Sequence, residues 1–176
     1  MAELIKVLNS HKIAFFGGIF PGIIYAQHSV ERGCIIKKFK ALNAPFCVSG
    51  IAAGQFHGMP QFEATARQNK GTAIVLLDGL TPNIYHFLEK LNDLLGEQCH
   101  FIGGGAGSIS LKQQPCVFTS EGFKADAAVV CVIDKQVRLG VRHGWEQLDG
   151  PLVATKTDGN TIIQLNWESA ISVYNK

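Results

Sequence analysis

Apolar residues along this chain gather into short runs, most of them too brief for helices. Leu4, Ile5, Val7 and Leu8 stand near helical spacing, which predicts the end of a helix over Glu3 to Leu8. Ile13-Ala14-Phe15-Phe16 predicts a short buried strand stopped by Gly17-Gly18. Gly33 to Phe39, with Cys34, Ile35 and Ile36 apolar, predicts a second strand, and Pro45 to Val48 a third. Ser49 to Lys70 is rich in Gly, Gln and small residues and reads as a long loop with a helical turn at Phe62 to Arg67. Loops of that length are more often functional or mobile than inert. Thr72 to Leu77 (TAIVLL) is the clearest buried strand. The best helix follows it. Thr81 suits the N-cap and Pro82 the first turn, while Ile84, Phe87, Leu88, Leu91 and Leu95 share one face and Gly96 ends it. Further strands are predicted at Cys99 to Ile102, Cys116 to Thr119, Ala127 to Ile133 and Gln136 to Val141. Leu152 to Thr157 and Thr161 to Leu165 flank Asp158-Gly159-Asn160 as a hairpin, and Glu168 to Tyr174 reads as a terminal helix.

The pattern echoes itself. Phe15-Phe16-Gly17-Gly18 and Phe101-Ile102-Gly103-Gly104 each follow a helical pattern and each precede a polar segment and an apolar strand. Several strands also follow one another with no helix between them. The expected fold is therefore α+β (mixed α/β), with layered sheets, flanking helices and two similar helix–strand–GG–strand units.

Composition narrows the class. Hydrophobic residues make up 47% and charged residues 17%, which marks a core-forming chain with part of its surface apolar or covered. The net charge of +2 and the scattered basic residues, densest at Lys37-Lys38-Phe39-Lys40, argue against nucleic acid. No stretch reaches the length of a membrane span, and the N-terminus lacks the pattern of a signal peptide. Cysteines stand at 34, 47, 99, 116 and 131 without a CxxC pair, so they suit a reducing cytosol better than a zinc site. Cys34, Cys47 and Cys131 lie in apolar runs and are expected to be buried.

Candidate chemistry is sparse. The run Gly103-Gly104-Gly105-Ala106-Gly107-Ser108 follows a strand but matches neither a Walker loop nor GxGxxG. It reads as a tight turn, or as a place where backbone N–H groups approach an anion. Ser108 lacks the GxSxG elbow, and Cys99 and His100, adjacent on a strand, face opposite ways. Acidic residues, among them Asp78 and Asp126, are dispersed and nominate no catalytic pair. His143, in Arg142-His143-Gly144-Trp145, could serve as an axial haem ligand or simply pack, partly buried, beside Trp145.

From His100 onward the chain resembles the FIST domain (F-box and intracellular signal transduction proteins). The resemblance rests on Gly103-Gly104, Val117-Phe118, Ala128 to Val132, Gly144-Trp145, Ala154-Thr155, Gly159-Asn160, and Ala170 with Tyr174. Phe15 to Phe39 fits the family's first, similar unit. Asn166-Trp167 stands where the family has Asp-Gly, and Ser169 where it has Pro. The resemblance implies an N-terminal-type domain over 1–157 (units of about 1–70 and 71–157), with 158–176 opening the C-terminal part and both ends truncated. It further implies a non-enzymatic cytoplasmic input domain that binds a small ligand, amino acids being proposed for the family. Signalling would pass to a separate partner such as a histidine kinase or a cyclic-di-GMP enzyme. Some members resemble haem-binding nitric-oxide sensors, which would make His143 the metal ligand. Gly17, Gly18, Gly103, Gly104, His143 and Trp145 are the expected ligand-binding residues. A small-anion enzyme at Gly103 to Ser108 and a fragment that only packs on a partner are the alternatives.

Overall fold

The computed structural model describes residues 2–60, 71–147, 149–159 and 161–175. The chain forms two compact units, Met1–Leu139 and Gly140–Lys176.

The first unit opens with α1 (Ala2–Ser10), then β1 (Phe16–Gly18) and a hairpin of β2 (Ile23–Tyr25) and β3 (His28–Val30). It continues through β4 (Phe46–Ser49), β5 (Thr72–Asp78), α2 (Ile84–Leu95), β6 (His100–Ala106), β7 (Val117–Thr119), β8 (Gly122–Lys124) and β9 (Ala127–Ile133). Four strands make the central sheet in the order β4-β9-β5-β6. β5 and β6 run parallel, joined by α2, while β9 is antiparallel to both β4 and β5. A second sheet has the order β1-β7-β8. The mixed α+β reading therefore holds, with a helix and a second sheet layered on the central one.

Side-chain alternation explains the layers. On one face Val48, Ala73, Val75, Leu77, Ala128, Val130 and Val132 pack with Phe87, Leu91 and Leu95 of α2. On the other, Val129, Ala127 and Ala106 pack with Val117 and Phe16 of the second sheet and with Cys116 just before β7. Every residue of β9 is buried, which is why AAVVCVI is apolar throughout instead of alternating.

Several elements differ from the pattern reading. β1 starts at Phe16 and runs through Gly17-Gly18, because Gly17 lies opposite Phe118 and that ring covers it. β6 likewise runs through Gly103-Gly104-Gly105. Gly33 to Phe39 is not a strand: among the described residues no strand pairs with it, and Cys34 is exposed, not buried. The strand nearby is the β2–β3 hairpin, turned at Ala26 with φ 53°. Helix α2 begins at Ile84, with Asn83 at the N-cap, because the Thr81 hydroxyl is engaged by Asp126. Gln136 to Val141 forms no strand. The loop after β4 is partly core: Ile51 is fully buried, and Phe56 and Met59 pack against the α2 side. The predicted turn at Phe62 to Arg67 lies outside the described residues.

The second unit has the antiparallel sheet β10 (Ala154–Asp158), β11 (Thr161–Leu165) and β12 (Glu168–Ser169), followed by α3 (Ala170–Tyr174). The hairpin reading holds, and the terminal helix starts at Ala170, two residues late. None of the described residues of this unit is buried.

Candidate functional site

Three separated pieces of the first unit meet at a groove of about 330 Å³. Ala14 and Phe15 come from the approach to β1, Ala44 to Cys47 from the start of β4, and Thr119 to Glu121 from the turn between β7 and β8. Gly58 closes the lining, and only glycine fits there: its φ is +85°, and a Cβ would stand 2.4 Å from the Cys47 carbonyl oxygen. The turn is held from two sides. Asn9 of α1 donates from Nδ2 to the Ser120 carbonyl at 2.9 Å, and the Glu121 N–H donates to Thr119 Oγ1 at 3.3 Å.

At the rim Lys124 Nζ donates to Glu121 Oε2 at 2.7 Å. The ammonium holds the Glu121 carboxyl below the usual range, and Glu121 in turn raises Lys124. Burial pushes the Cys47 thiol up, against the pull of Lys124. The groove thus offers an apolar wall at Phe15, Ala44, Pro45 and Phe46 and an acid–base pair at one edge. That combination suits reversible binding of a small molecule with a polar end, and the volume falls at the lower limit of ordinary ligand sites.

The residues singled out from sequence are placed as follows. Gly17 and Gly18 sit in β1, where a Cβ on Gly18 would touch Ala106 at 3.2 Å. The Ile19 carbonyl accepts from the Gly107 N–H at 2.8 Å, so the two glycine segments meet at that end. Gly103 and Gly104 lie in the exposed part of β6. His143 and Trp145 belong to the second unit, both exposed, with the Trp145 N–H donating to His143 Nδ1 at 3.0 Å. Ser108 Oγ is 2.6 Å from Ser110 Oγ, and the buried Cys99 thiol reaches the His100 carbonyl, not its ring. Among the described residues no group of three or more His, Cys, Asp or Glu is placed to hold a metal ion.

Sequence reading passed over Glu121 and Lys124. Their signal was present as an acid and a base three apart across the Glu121-Gly122 turn, but its meaning depends on β4 lying alongside.

The thiols supply a test of this arrangement. Burial, then the Asp78 charge and hydrogen bond, push Cys116 up to about 11, and burial alone takes Cys131 to about 11. Cys34 is exposed. In the native chain a disulfide reagent is expected to label Cys34 first and to reach Cys116 and Cys131 only after denaturation. The folded thiols keep their protons to a higher pH than the unfolded ones, so their contribution to unfolding free energy should be level from neutral pH to 9.0 and fall between there and about 11. Urea midpoints across that window check the sign; a flat profile would show that these thiols are not desolvated.

Among the described residues no helix is long and apolar enough to cross a membrane. No curated protein and no solved structure matches the chain. The family model of the FIST N domain matches residues 2–168. With nearly the whole length covered, the chain belongs to the FIST N domain family, whose members are associated with signal-transduction sensing.

Proposed function

We propose that this chain is a non-enzymatic, cytoplasmic input domain that binds a small molecule in the groove beside Glu121 and Lys124 and relays its occupancy to a separate signalling protein. The observation that carries this reading is the groove itself: a concave, part-apolar site with one charged pair at its edge, built from three segments that a ligand would clamp together. Partners of the kinase or cyclic-di-GMP class fit the family's role in signalling.

Native mass spectrometry and calorimetry against a panel of small amphipathic metabolites test it. The exposed Ala44 lines the groove. Ala44→Trp fills it and is expected to abolish binding, while Glu121→Gln should weaken it about tenfold if the pair contacts the polar end. A ligand bound equally by wild type and Ala44→Trp would place the site elsewhere.

Haem is a separate matter. Nδ1 of His143 accepts a backbone hydrogen bond, so the neutral ring carries its proton on Nε2. Ligation through Nε2 would move that proton to Nδ1 and break the bond. Among the described residues of its own unit none is buried, and His143 itself is exposed. A hemin titration decides: no Soret band in the wild type removes haem, whereas a band lost in His143→Ala restores it.

A further inference from the structure

We infer that the β2–β3 hairpin and the chain that follows it form a docking surface for an acidic peptide segment of a partner protein, anchored by one apolar side chain. Among the described residues the hairpin pairs with no other strand. A lone two-stranded hairpin is marginal in water, so its apolar side chains gain from a cover. Together with Gly33, Cys34 and Ile35, one side of it walls a concavity of about 410 Å³. Ile23, Tyr25, Val30 and Ile35 supply most of the lining. Tyr25 is 74% exposed and Ile35 64% exposed, so the rim is accessible as well as apolar.

Charge names the partner. Residues 31–40 carry Arg32, Lys37, Lys38 and Lys40 against the single acid Glu31, more net positive charge than the whole chain. All four bases are exposed. Among the described residues only Lys40 has an acidic partner, Asp134 at 3.7 Å. Unneutralised bases beside an apolar concavity fit a ligand that brings carboxylates and one buried side chain together. The open edges of β2 and β3 would accept its main chain as an added strand. The open strand edges offer main-chain hydrogen bonds that a peptide can complete and a bilayer cannot, so the surface is assigned to a peptide; the exposed Ile24 and Ile36 beside it are why vesicles are included in the test. This assignment gives a place to the relay half of the proposed role and makes no use of the groove at Glu121, so the two tests fail independently.

The experiment uses the full chain and a fluorescein-labelled peptide of alternating Glu and Leu, with a Lys–Leu peptide as its charge-reversed control, read by anisotropy. The acidic peptide is expected to bind, the basic one not. Lys37→Glu with Lys38→Glu should weaken binding at least about tenfold and flatten its salt dependence, since exposed charges are screened within about 10 Å at moderate salt. Tyr25→Ser with Ile35→Ser should weaken it with the salt dependence retained. All four positions are exposed, and circular dichroism confirms that each variant is folded. Equal binding of both peptides, unchanged binding by the charge-reversed variant, or co-sedimentation with phosphatidylserine vesicles in place of peptide binding would overturn the assignment.

Discussion

Gly103→Ala is expected to cost about 3–5 kcal/mol, a large share of the stability of an ordinary domain, because the clash is with main chain. A Cβ built there would stand 1.7 Å from the Val75 carbonyl oxygen and 2.6 Å from its carbonyl carbon. Both are main-chain atoms of β5, which pairs with β6 on one side and β9 on the other. The contact is main chain against Cβ, so relief requires β6, the edge strand of the sheet, to pull away from β5 and give up ladder hydrogen bonds. The φ of +156° at Gly103 adds a conformation that alanine avoids. Gly104 provides the control: nothing lies within 4 Å of its Cβ position. Gly104→Ala should therefore change stability by less than about 1 kcal/mol. Urea denaturation followed by circular dichroism separates the two; equal midpoints would mean that β6 does not approach β5 as closely as described.

That pair of glycines also shows what was legible beforehand. The strand at Thr72 to Leu77, the helix face of Phe87, Leu91 and Leu95, and the unbroken apolar run of β9 could be read directly, because local periodicity and burial agree there. The Gly-Gly segments were visible as motifs yet read as strand ends. Their reasons, the Phe118 ring over Gly17 and the Val75 main chain against Gly103, come from residues far along the chain. Gly33 to Phe39 had the composition of a strand without a neighbour to complete one. Thr81 looked like a helix cap until Asp126, 45 residues later, took its hydroxyl. The groove was illegible for the same reason, since Phe15, Phe46 and Glu121 become neighbours only through the packing of two sheets. Local preference set the elements, and distant partners decided where they end.

Asp78→Ala is the second large effect. Asp78 is 1% exposed at the end of β5, and its carboxylate gathers three N–H donors besides its hydrogen bond with the Cys116 thiol. Leu80 N–H reaches Oδ1 at 3.1 Å, while Gln113 Nε2 and the Asp126 N–H reach Oδ2, both at 2.9 Å. Asp126 carries the junction onward: its Oδ1 accepts from the Ala52 N–H at 2.8 Å and from the Thr81 hydroxyl. Asn83, the N-cap residue of α2, donates to the Ala52 carbonyl at 2.7 Å. The loops after β4, β5 and β6 and the entry to β9 are thus tied at one buried point. Alanine leaves these donors without their acceptor; Leu80 and Gln113 are exposed and can turn to water, while the half-buried Asp126 N–H has less access to it, and an unsatisfied buried group costs about 1–3 kcal/mol, so a loss of about 3 kcal/mol is expected. Asp78→Asn keeps the shape and one oxygen but turns an N–H₂ toward a donor, which should cost about half as much. Because Asp126 belongs to the same network, the Asp78→Ala/Asp126→Ala double variant should be clearly less destabilised than the sum of the single ones. Additive losses would show two independent supports. Hydrogen exchange then locates the damage: protection should fall first at Ala52, Leu80 and Asp126, whose N–H groups donate to these carboxylates, while the β5–β9 ladder, satisfied by its own pairing, keeps its protection longer.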